Sequence, residues 1–517
     1  MNEHEGEIAG AGRTRERPIN YRPILLWATA LIGGIALCSL RSDGKLKNVF
    51  LCVAIPAALL SIAFPLCRKL SPERRERALF FDFLLAAAFV AAGFFLCSAS
   101  ISAIRRGEVE DGRYSVCGEV VSVSVKDGYK SIIIDSCTTD GVKTGKISVK
   151  TKDDVRLYDR VEFTARLSAA REKNAGLSFY YRNAGVSSVA EGYPSVKVSG
   201  RKDSLPAKVN DFLSDVFGES ENGGVAVALL SGDLSGVDYD TLENYRMTGI
   251  AHVFAVSGMH VGLLFTALSF LLGKLPGKKT IKSVATSFVL FFYAYLCGGS
   301  ASSLRAAVMC SVLGASRALG EKSDSLNAFG LSAIVTLFLD PVDLFTVGFM
   351  LSYAACFSLI VLAPALKRRL AFLPDSFASA LSVTAAAELF TLPIAITSFG
   401  RFNFISLLVN LAVLPVVSFL YYGLWIALLL YVIFPFYRLI GVNITSFLSG
   451  GIDGFLKMTG TFSFSAAVFP DAAYFPWYLL LLLSGDSVNL PEKAKNICLS
   501  LTLVFFAAIG AFFGLAG

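Results

Sequence analysis

Within the run His252-Val253-Phe254-Ala255-Val256-Ser257-Gly258-Met259-His260-Val261-Gly262, two of the three histidines of the chain lie among apolar residues. Ser257 and His260 are three apart, so on a helix they share a face. A hydroxyl beside an imidazole is the start of a hydrolase. Such an enzyme also needs a third group to orient the base, and an oxyanion hole. Glu243, Asp233 and Glu388 are the acids available for that place. No G-x-S-x-G surrounds the serine; the stretch reads Ala255-Val256-Ser257-Gly258-Met259. A metal is the second chemistry to weigh. His252 and His260 are two helical turns apart, which is not H-E-x-x-H spacing, and further ligands would have to come from remote acids such as Glu243 or Asp233. No catalytic residue, metal or cofactor is therefore assigned. Two readings stand level. In one, the polar groups bond between helices, and Gly258 and Gly262 form a G-x-x-x-G contact face. In the other, a broken helix lines a polar path, with a helix N-terminus that favours anions.

Two charged residues extend the second reading. Arg305 follows Gly298-Gly299-Ser300-Ala301-Ser302-Ser303 at the start of an apolar run. It is either a snorkelling interfacial cation or a phosphate contact near the outer mouth. Glu388 lies within Ala385-Ala386-Ala387-Glu388-Leu389-Phe390-Thr391-Leu392-Pro393. A carboxylate at that depth costs about 2.5 kcal/mol or more if it faces lipid, so it marks function or a buried polar partner. Asn327, Asn410, Ser352 and Tyr353 are further candidates for an interior lining.

These residues need a scaffold, and composition says which. The chain has 517 residues, of which 54% are hydrophobic and 17% charged, and its mean hydropathy is +0.60. Soluble domains are nearer a quarter charged, so this is a membrane protein. The net charge of +7 fits basic cytoplasmic loops and does not by itself require nucleic acid. Expected spans are 23–40, 48–66 and 79–100, then 251–273, 282–297, 304–319, 325–339, 343–363, 376–398 and 403–420. Further segments at 421–435, 441–458, 474–485 and 496–516 are spans or surface helices. Residues 205–217 read as an amphipathic interfacial helix. No cleavage site follows the first apolar run, which reads as an anchor.

Between the third and fourth spans, residues 104–204 turn polar and alternate with period two. The Lys126-Asp127-Gly128 turn marks a hairpin, and five or so strands indicate a small barrel, OB-like. Basic loops at the N-terminus, at 67–77 and at 274–282, 317–322 and 367–369 put the N-terminus in the cytoplasm and the β domain outside. Cys117 and Cys137 flank the turn almost symmetrically. A register placing them opposite one another would bring them within disulfide reach, and outside the cytoplasm such a bond persists. The alternative is two reduced core cysteines on adjacent strands.

Several motifs together resemble one family. Leu230-Ser231-Gly232-Asp233, Tyr245-Arg246-Met247-Thr248-Gly249-Ile250-Ala251-His252 and Ala255-Val256-Ser257-Gly258-Met259-His260-Val261-Gly262 resemble the signature of the ComEC-type competence channels. So do Ser303-Leu304-Arg305-Ala306-Ala307, Asp340-Pro341 with Gly348-Phe349-Met350-Leu351-Ser352-Tyr353, and Glu388-Leu389-Phe390-Thr391-Leu392-Pro393 with Phe399-Gly400-Arg401-Phe402. They occur in the family's order over about 223–420. The resemblance implies passage of single-stranded DNA across the bacterial cytoplasmic membrane in natural transformation. It makes His252, Ser257, Gly258, His260, Gly262, Arg305 and Glu388 candidate path residues. Many members end in a metallo-β-lactamase-like domain. Its histidine-rich motif is absent here, so a separate nuclease is expected to supply single strands. No G-x-x-x-x-G-K-[ST] is present, so an ATP-driven motor is expected as a cytoplasmic partner. Assembly into a homo-oligomer is compatible with this plan.

The resulting expectation is a polytopic α-helical membrane protein, with about 10–13 transmembrane or membrane-associated helices and an inserted extracellular OB-like β domain. Its divisions are N-terminal helices 1–103, β domain 104–204, channel core 205–420 and C-terminal helices 421–517. The alternatives to a DNA channel are a transporter of another anionic or polymeric solute, and a membrane-embedded Ser/His hydrolase. Basic and aromatic residues of the β domain, including Lys126, Lys130, Lys150, Lys152, Tyr129 and Tyr158, suit a strand-binding surface or an ordinary solvated one.

Overall fold

The structure is a computed structural model. It describes residues 22–42, 72–170, 181, 183–218, 222–254, 256–399, 401–403, 406–434, 450–452, 454, 463–465, 471–485 and 490–514. The expected span at 48–66 and most of that at 441–458 lie outside these.

Two N-terminal helices, α1 (Pro23–Ser42) and α2 (Pro72–Arg106), cross where Gly34 meets Gly93. A Cβ on Gly34 would lie 2.0 Å from the Val90 carbonyl oxygen, and one on Gly93 would lie 2.3 Å from that of Leu31. Only glycine permits the backbones to touch, which is how helices pack where apolar burial against lipid gives little drive.

The polar domain follows as β1 (Gly112–Lys126), β2 (Tyr129–Thr139), β3 (Val142–Lys143), β4 (Lys146–Thr151), β5 (Asp159–Ala169), β6 (Val186–Ala190) and β7 (Lys197–Arg201). The pairings β1–β2, β2–β4, β4–β6, β6–β5 and β5–β1 return on themselves; β4–β6 is parallel and the others antiparallel. Val116, Val120, Ile132, Ile134, Ile147, Val149, Val161 and Leu167 form its core, the inward set of the alternation read from the sequence.

The register corrects the cysteine expectation. Cys117 pairs with Thr138, one residue off Cys137. One residue moves a side chain to the other face of a sheet, so Cys117 is exposed, Cys137 is buried and both thiols are free. Burial and the nearby Asp135 push the Cys137 thiol up to about 12, a structural and unreactive cysteine.

The remaining helices are α3 (Leu205–Phe217), α4 (Gly223–Ser231), α5 (Tyr239–Met247), α6 (Gly258–Lys274), α7 (Lys279–Leu296), α8 (Ala301–Leu319), α9 (Ser325–Leu339), α10 (Val347–Val361), α11 (Ala363–Arg369), α12 (Asp375–Phe399), α13 (Ser406–Ile433), α14 (Asp471–Ser484) and α15 (Glu492–Gly514). A short strand, β8 (Arg401–Asn403), pairs antiparallel with β9 (Ser463–Ser465). Among the described residues, three helical stretches are long and apolar enough to cross a membrane: Leu84–Arg106, Asp375–Phe399 and Ser406–Ile433. The pair α10–α11, bent by 46°, makes a fourth if it is one span. Shorter apolar helices lie at Pro23–Ser39, Gly258–Lys274, Ser325–Leu339 and Tyr474–Ser484.

Three expected segments change shape. The spans at 403–420 and 421–435 are one helix, α13, because no turn residue separates them. The span at 343–363 begins at Val347, since Pro341 and Asp340 direct the preceding residues into a 3-10 turn. The span at 251–273 begins only at Gly258. In α12, Pro393 has no N–H for the Leu389 carbonyl. The Trp477 indole of α14 supplies the missing donor at 2.9 Å, and the Tyr474 and Tyr478 hydroxyls serve the Pro393 and Phe390 carbonyls. A proline inside a membrane helix is tolerated when neighbours satisfy the freed groups in this way.

Candidate functional site

The site is built from the breaks between α4, α5 and α6. Helix α4 is buried along nearly its whole length. It ends where Gly232 takes φ +82°, a left-handed cap that suits glycine. The chain then turns through Asp233, which is buried. The Asp233 carboxylate accepts the Asn210 side-chain amide of α3 at 2.7 Å, the Ser235 amide at 2.9 Å and the Ser235 hydroxyl. The Ser235 hydroxyl in turn accepts the Leu157 amide at 3.1 Å, and its carbonyl accepts Lys130 Nζ at 3.3 Å. The Leu230-Ser231-Gly232-Asp233 motif is therefore a latch between α3, α4 and the sheet domain.

Helix α5 starts on Asp238, whose carboxylate accepts the Thr241 amide, a standard N-cap. It ends at Met247, and Gly249, φ +82°, follows the cap; a Cβ there would meet the Ser406 Cβ of α13 at 3.1 Å. Ser406 also lies beside Glu388 of α12, and Asn410 of α13 donates to Glu388 Oε1 at 3.0 Å. The structure thus brings Glu388 to the Thr248–Ile250 break. It gives the acid amide and hydroxyl partners from α13 rather than a cation.

After a 3-10 turn at Ala251–Val253, Ser257 caps α6. Its hydroxyl accepts the Met259 amide at 3.3 Å, while His260 Nδ1 accepts the Ser257 amide at 3.2 Å. This is a capping box with histidine in the place usual for Glu or Gln. Accepting at Nδ1 assigns the ring proton to Nε2. That buried nitrogen has no hydrogen-bond partner, and the ring packs edge-on against Tyr421, centroids 4.9 Å apart. The serine and histidine do meet, as their spacing implied, but among the described residues no acid orients the base. Glu243 pairs with Arg246, Asp233 with Asn210, and Glu388 with Asn410. The hydrolase geometry is not assembled at this pair. His252 is exposed, with Nδ1 3.3 Å from the Gly249 carbonyl.

Arg305 in α8 is buried, 7% exposed. Its guanidinium sits over the Tyr353 ring at 5.7 Å and beside the Cys356 thiol. Nε has no hydrogen-bond partner, and among the described residues no carboxylate pairs with it. Its Nη2 faces the first residue of α6: a Cβ on Gly258 would lie 2.7 Å away. A buried cation without an acid is costly, several kcal/mol, and the positive end of a helix dipole raises that cost. The snorkelling alternative is overturned, because the head group is buried. The expected Gly258–Gly262 contact face is corrected as well: Gly258 is tight against Arg305, whereas a Cβ on Gly262 meets nothing within 4 Å. Tyr353 and Asn410 prove to be neighbours of the two charges. Ser352 bonds Ser302 at 3.0 Å, and Asn327 belongs to the Asp324 cap of α9. Tyr421, Ser406 and Asn210 escaped the sequence reading. The only signal for Tyr421 was a Tyr-Tyr pair inside a long apolar run.

The model of a family described as "Competence protein" matches residues 229–487, just over half of the chain. "ComE operon protein 3" of Bacillus subtilis is 33% identical over 199 residues, which are 38% of this chain and 25% of that protein. "Recombination protein 2" of Haemophilus influenzae is 24% identical over 290 residues, 53% of this chain and 36% of that protein. The aligned part of the chain thus spans a quarter to about a third of the length of these relatives. No solved structure matches.

Proposed function

Because this chain belongs to the Competence protein family, we propose that it is a multi-pass membrane channel component that carries single-stranded DNA across the bacterial cytoplasmic membrane. One observation carries this reading. The Arg305 guanidinium is buried, has no acid beside it among the described residues and faces the N-terminal turn of α6 at a break in a membrane helix. A phosphodiester is the partner such a group lacks, since helix N-termini and guanidinium groups both favour phosphate. His252, Ser257, Gly258, His260, Gly262 and Glu388 line the same broken stretch in this reading, with Ser257 and His260 holding its shape.

The finer plan belongs to the proposal. The N-terminus lies in the cytoplasm and the sheet domain outside, as the basic loops require. The five-strand ring is an OB-like barrel, and the chain divides at 1–103, 104–204, 205–420 and 421–517. The chain acts as a conduit rather than an enzyme. Single strands are supplied by a separate nuclease and drawn in by a separate ATP-driven motor, and copies of the chain assemble as a homo-oligomer.

The test is transformation frequency in the source bacterium, comparing deletion, wild type and His260→Ala at equal protein level. Loss on deletion and a large defect in His260→Ala support a channel that works through the interrupted helix. Normal transformation of the deletion strain overturns it in favour of another anionic solute. Loss on deletion with a fully active His260→Ala keeps the channel and makes His260 a packing residue.

A further inference from the structure

Glu388 lies inside the span Asp375–Phe399, and its partners carry no charge. Asn410 Nδ2 donates to its Oε1 at 3.0 Å, and Ser406 stands beside it. Among the described residues no Lys, Arg or His lies at ion-pair distance from this carboxylate. An ionised acid held at that depth by neutral groups alone is costly until something positive joins it.

Asn410 supplies a second, independent observation. It is 5% exposed, and its amide is oriented by the bond to Glu388. Oδ1 of the same amide therefore lies beside the carboxylate, yet it is buried with no hydrogen-bond partner. A buried acceptor left over next to an acid calls for a positive partner shared by both.

The chain break completes the arrangement. Helix α5 ends at Met247; Thr248, which is buried, and Gly249, which is exposed, follow it. A Cβ on Gly249 would lie 3.1 Å from the Ser406 Cβ and 4.0 Å from its Oγ, so the unwound backbone rests on the Glu388 side of α13. The C-terminal end of a helix carries partial negative charge. Unwound carbonyls and helix C-terminal ends are what hold monovalent cations in membrane transporters. Arg246, in the last turn of α5, is occupied elsewhere, with Glu243 at 3.5 Å and the Val125 carbonyl at 3.4 Å.

We propose that Glu388, Asn410 and Ser406, with the backbone of the Thr248–Gly249 break, form a site for one monovalent metal cation of the sodium type. One carboxylate among neutral oxygens balances one positive charge; a divalent ion would leave net charge inside an apolar span. Ligands that are all oxygen suit a hard ion. The exposed Gly249 gives the ion a way in from water. The site stands on its own geometry, and its place in transport rests on the channel reading. On that reading the α5 end of the interrupted stretch takes a cation and the α6 end, with Arg305, takes a phosphate.

The experiment melts the purified full chain in lipid nanodiscs, followed by tryptophan fluorescence, with sodium chloride replacing choline chloride at constant total salt. The wild-type melting temperature should rise with sodium and level off, as for a ligand of the folded state. Glu388→Gln still offers Asn410 an acceptor and should lose the sodium-specific rise. Ser406→Ala should raise the sodium concentration at half-effect about tenfold. A wild type that melts alike in sodium and in choline overturns the site and leaves Glu388 to a proton. An equal rise in Glu388→Gln overturns it too, since the ion then binds elsewhere. Should Glu388→Gln fail to fold, radioactive sodium bound to the wild type decides. Saturable binding that choline does not displace and Ser406→Ala weakens supports the site, and its absence overturns it. The channel reading fails separately: a deletion strain that transforms normally refutes transport and leaves the sodium shift standing.

Discussion

Ser257 shows how one residue type supports two chemistries until its position is known. Its spacing to His260 was legible and the two side chains do meet. Their role was not, because sharing a helix face presumes that both lie inside the helix, and α6 starts one residue later, at Gly258. The N-cap role has a definite magnitude. Ser257→Ala should lower stability by about 1 kcal/mol and weaken DNA uptake less than His260→Ala does, read as a thermal melt beside a transformation assay. Abolished uptake with an unchanged melt would instead mark a nucleophile. Gly258 carries the opposite expectation. It is helical, so alanine costs nothing in backbone conformation, but the new methyl lies 2.7 Å from Arg305 Nη2. Gly258→Ala should reach the membrane at normal level and lose uptake, because the guanidinium must move. Uptake equal to wild type would detach Arg305 from the path. Cys117 was misread for a comparable reason: a one-residue offset in register, invisible in the sequence, separates it from Cys137.

Among the elements, apolar periodicity located the helices well and their ends poorly. Helix α13 runs through a boundary that hydropathy alone placed near residue 420. The break at Thr248–Ser257 was visible through Gly249 and the histidines. What the break contacts was not, since Ser406 and Asn210 are remote in sequence and ordinary in composition. The turn Pro341–Phe345, which docks the sheet domain, gives a prediction in pH. Its Phe345 carbonyl accepts the Asn183 side-chain amide at 3.0 Å. Burial, then the nearby Asp340, raise Asp343 from 3.8 to about 6, against a smaller opposing pull from Lys146. A raised carboxylate favours the folded state when protonated, so its contribution is full below the ordinary value and is lost as pH rises through about 6. Asp343→Asn should therefore melt higher than wild type near pH 8 and equally near pH 4. The same difference at both values would show that charge burial is not the cause.

For the molecule as a whole, the division into a membrane body and an intervening polar domain could be read from composition. So could the alternation that builds the sheet core. The closed order of strand pairings and the latch through Ser235 and Asp233 could not, because pairing partners and docking contacts are set by packing between distant segments. The sheet domain is held to the body at several points: Ser187 to the Ile104 carbonyl, Asn183 to Phe345, and Leu157 and Lys130 to Ser235. The sheet domain is thus fixed relative to the break at α6. The most direct measurement is photocrosslinking during uptake of a labelled strand. A photoreactive phenylalanine replaces Gly262, where a side chain meets nothing within 4 Å, or Phe288 on the outward face of α7, 70% exposed. A strand that passes the interrupted helix crosslinks at position 262 and not at 288. Labelling absent at 262, or equal at both positions, would contradict passage along α6.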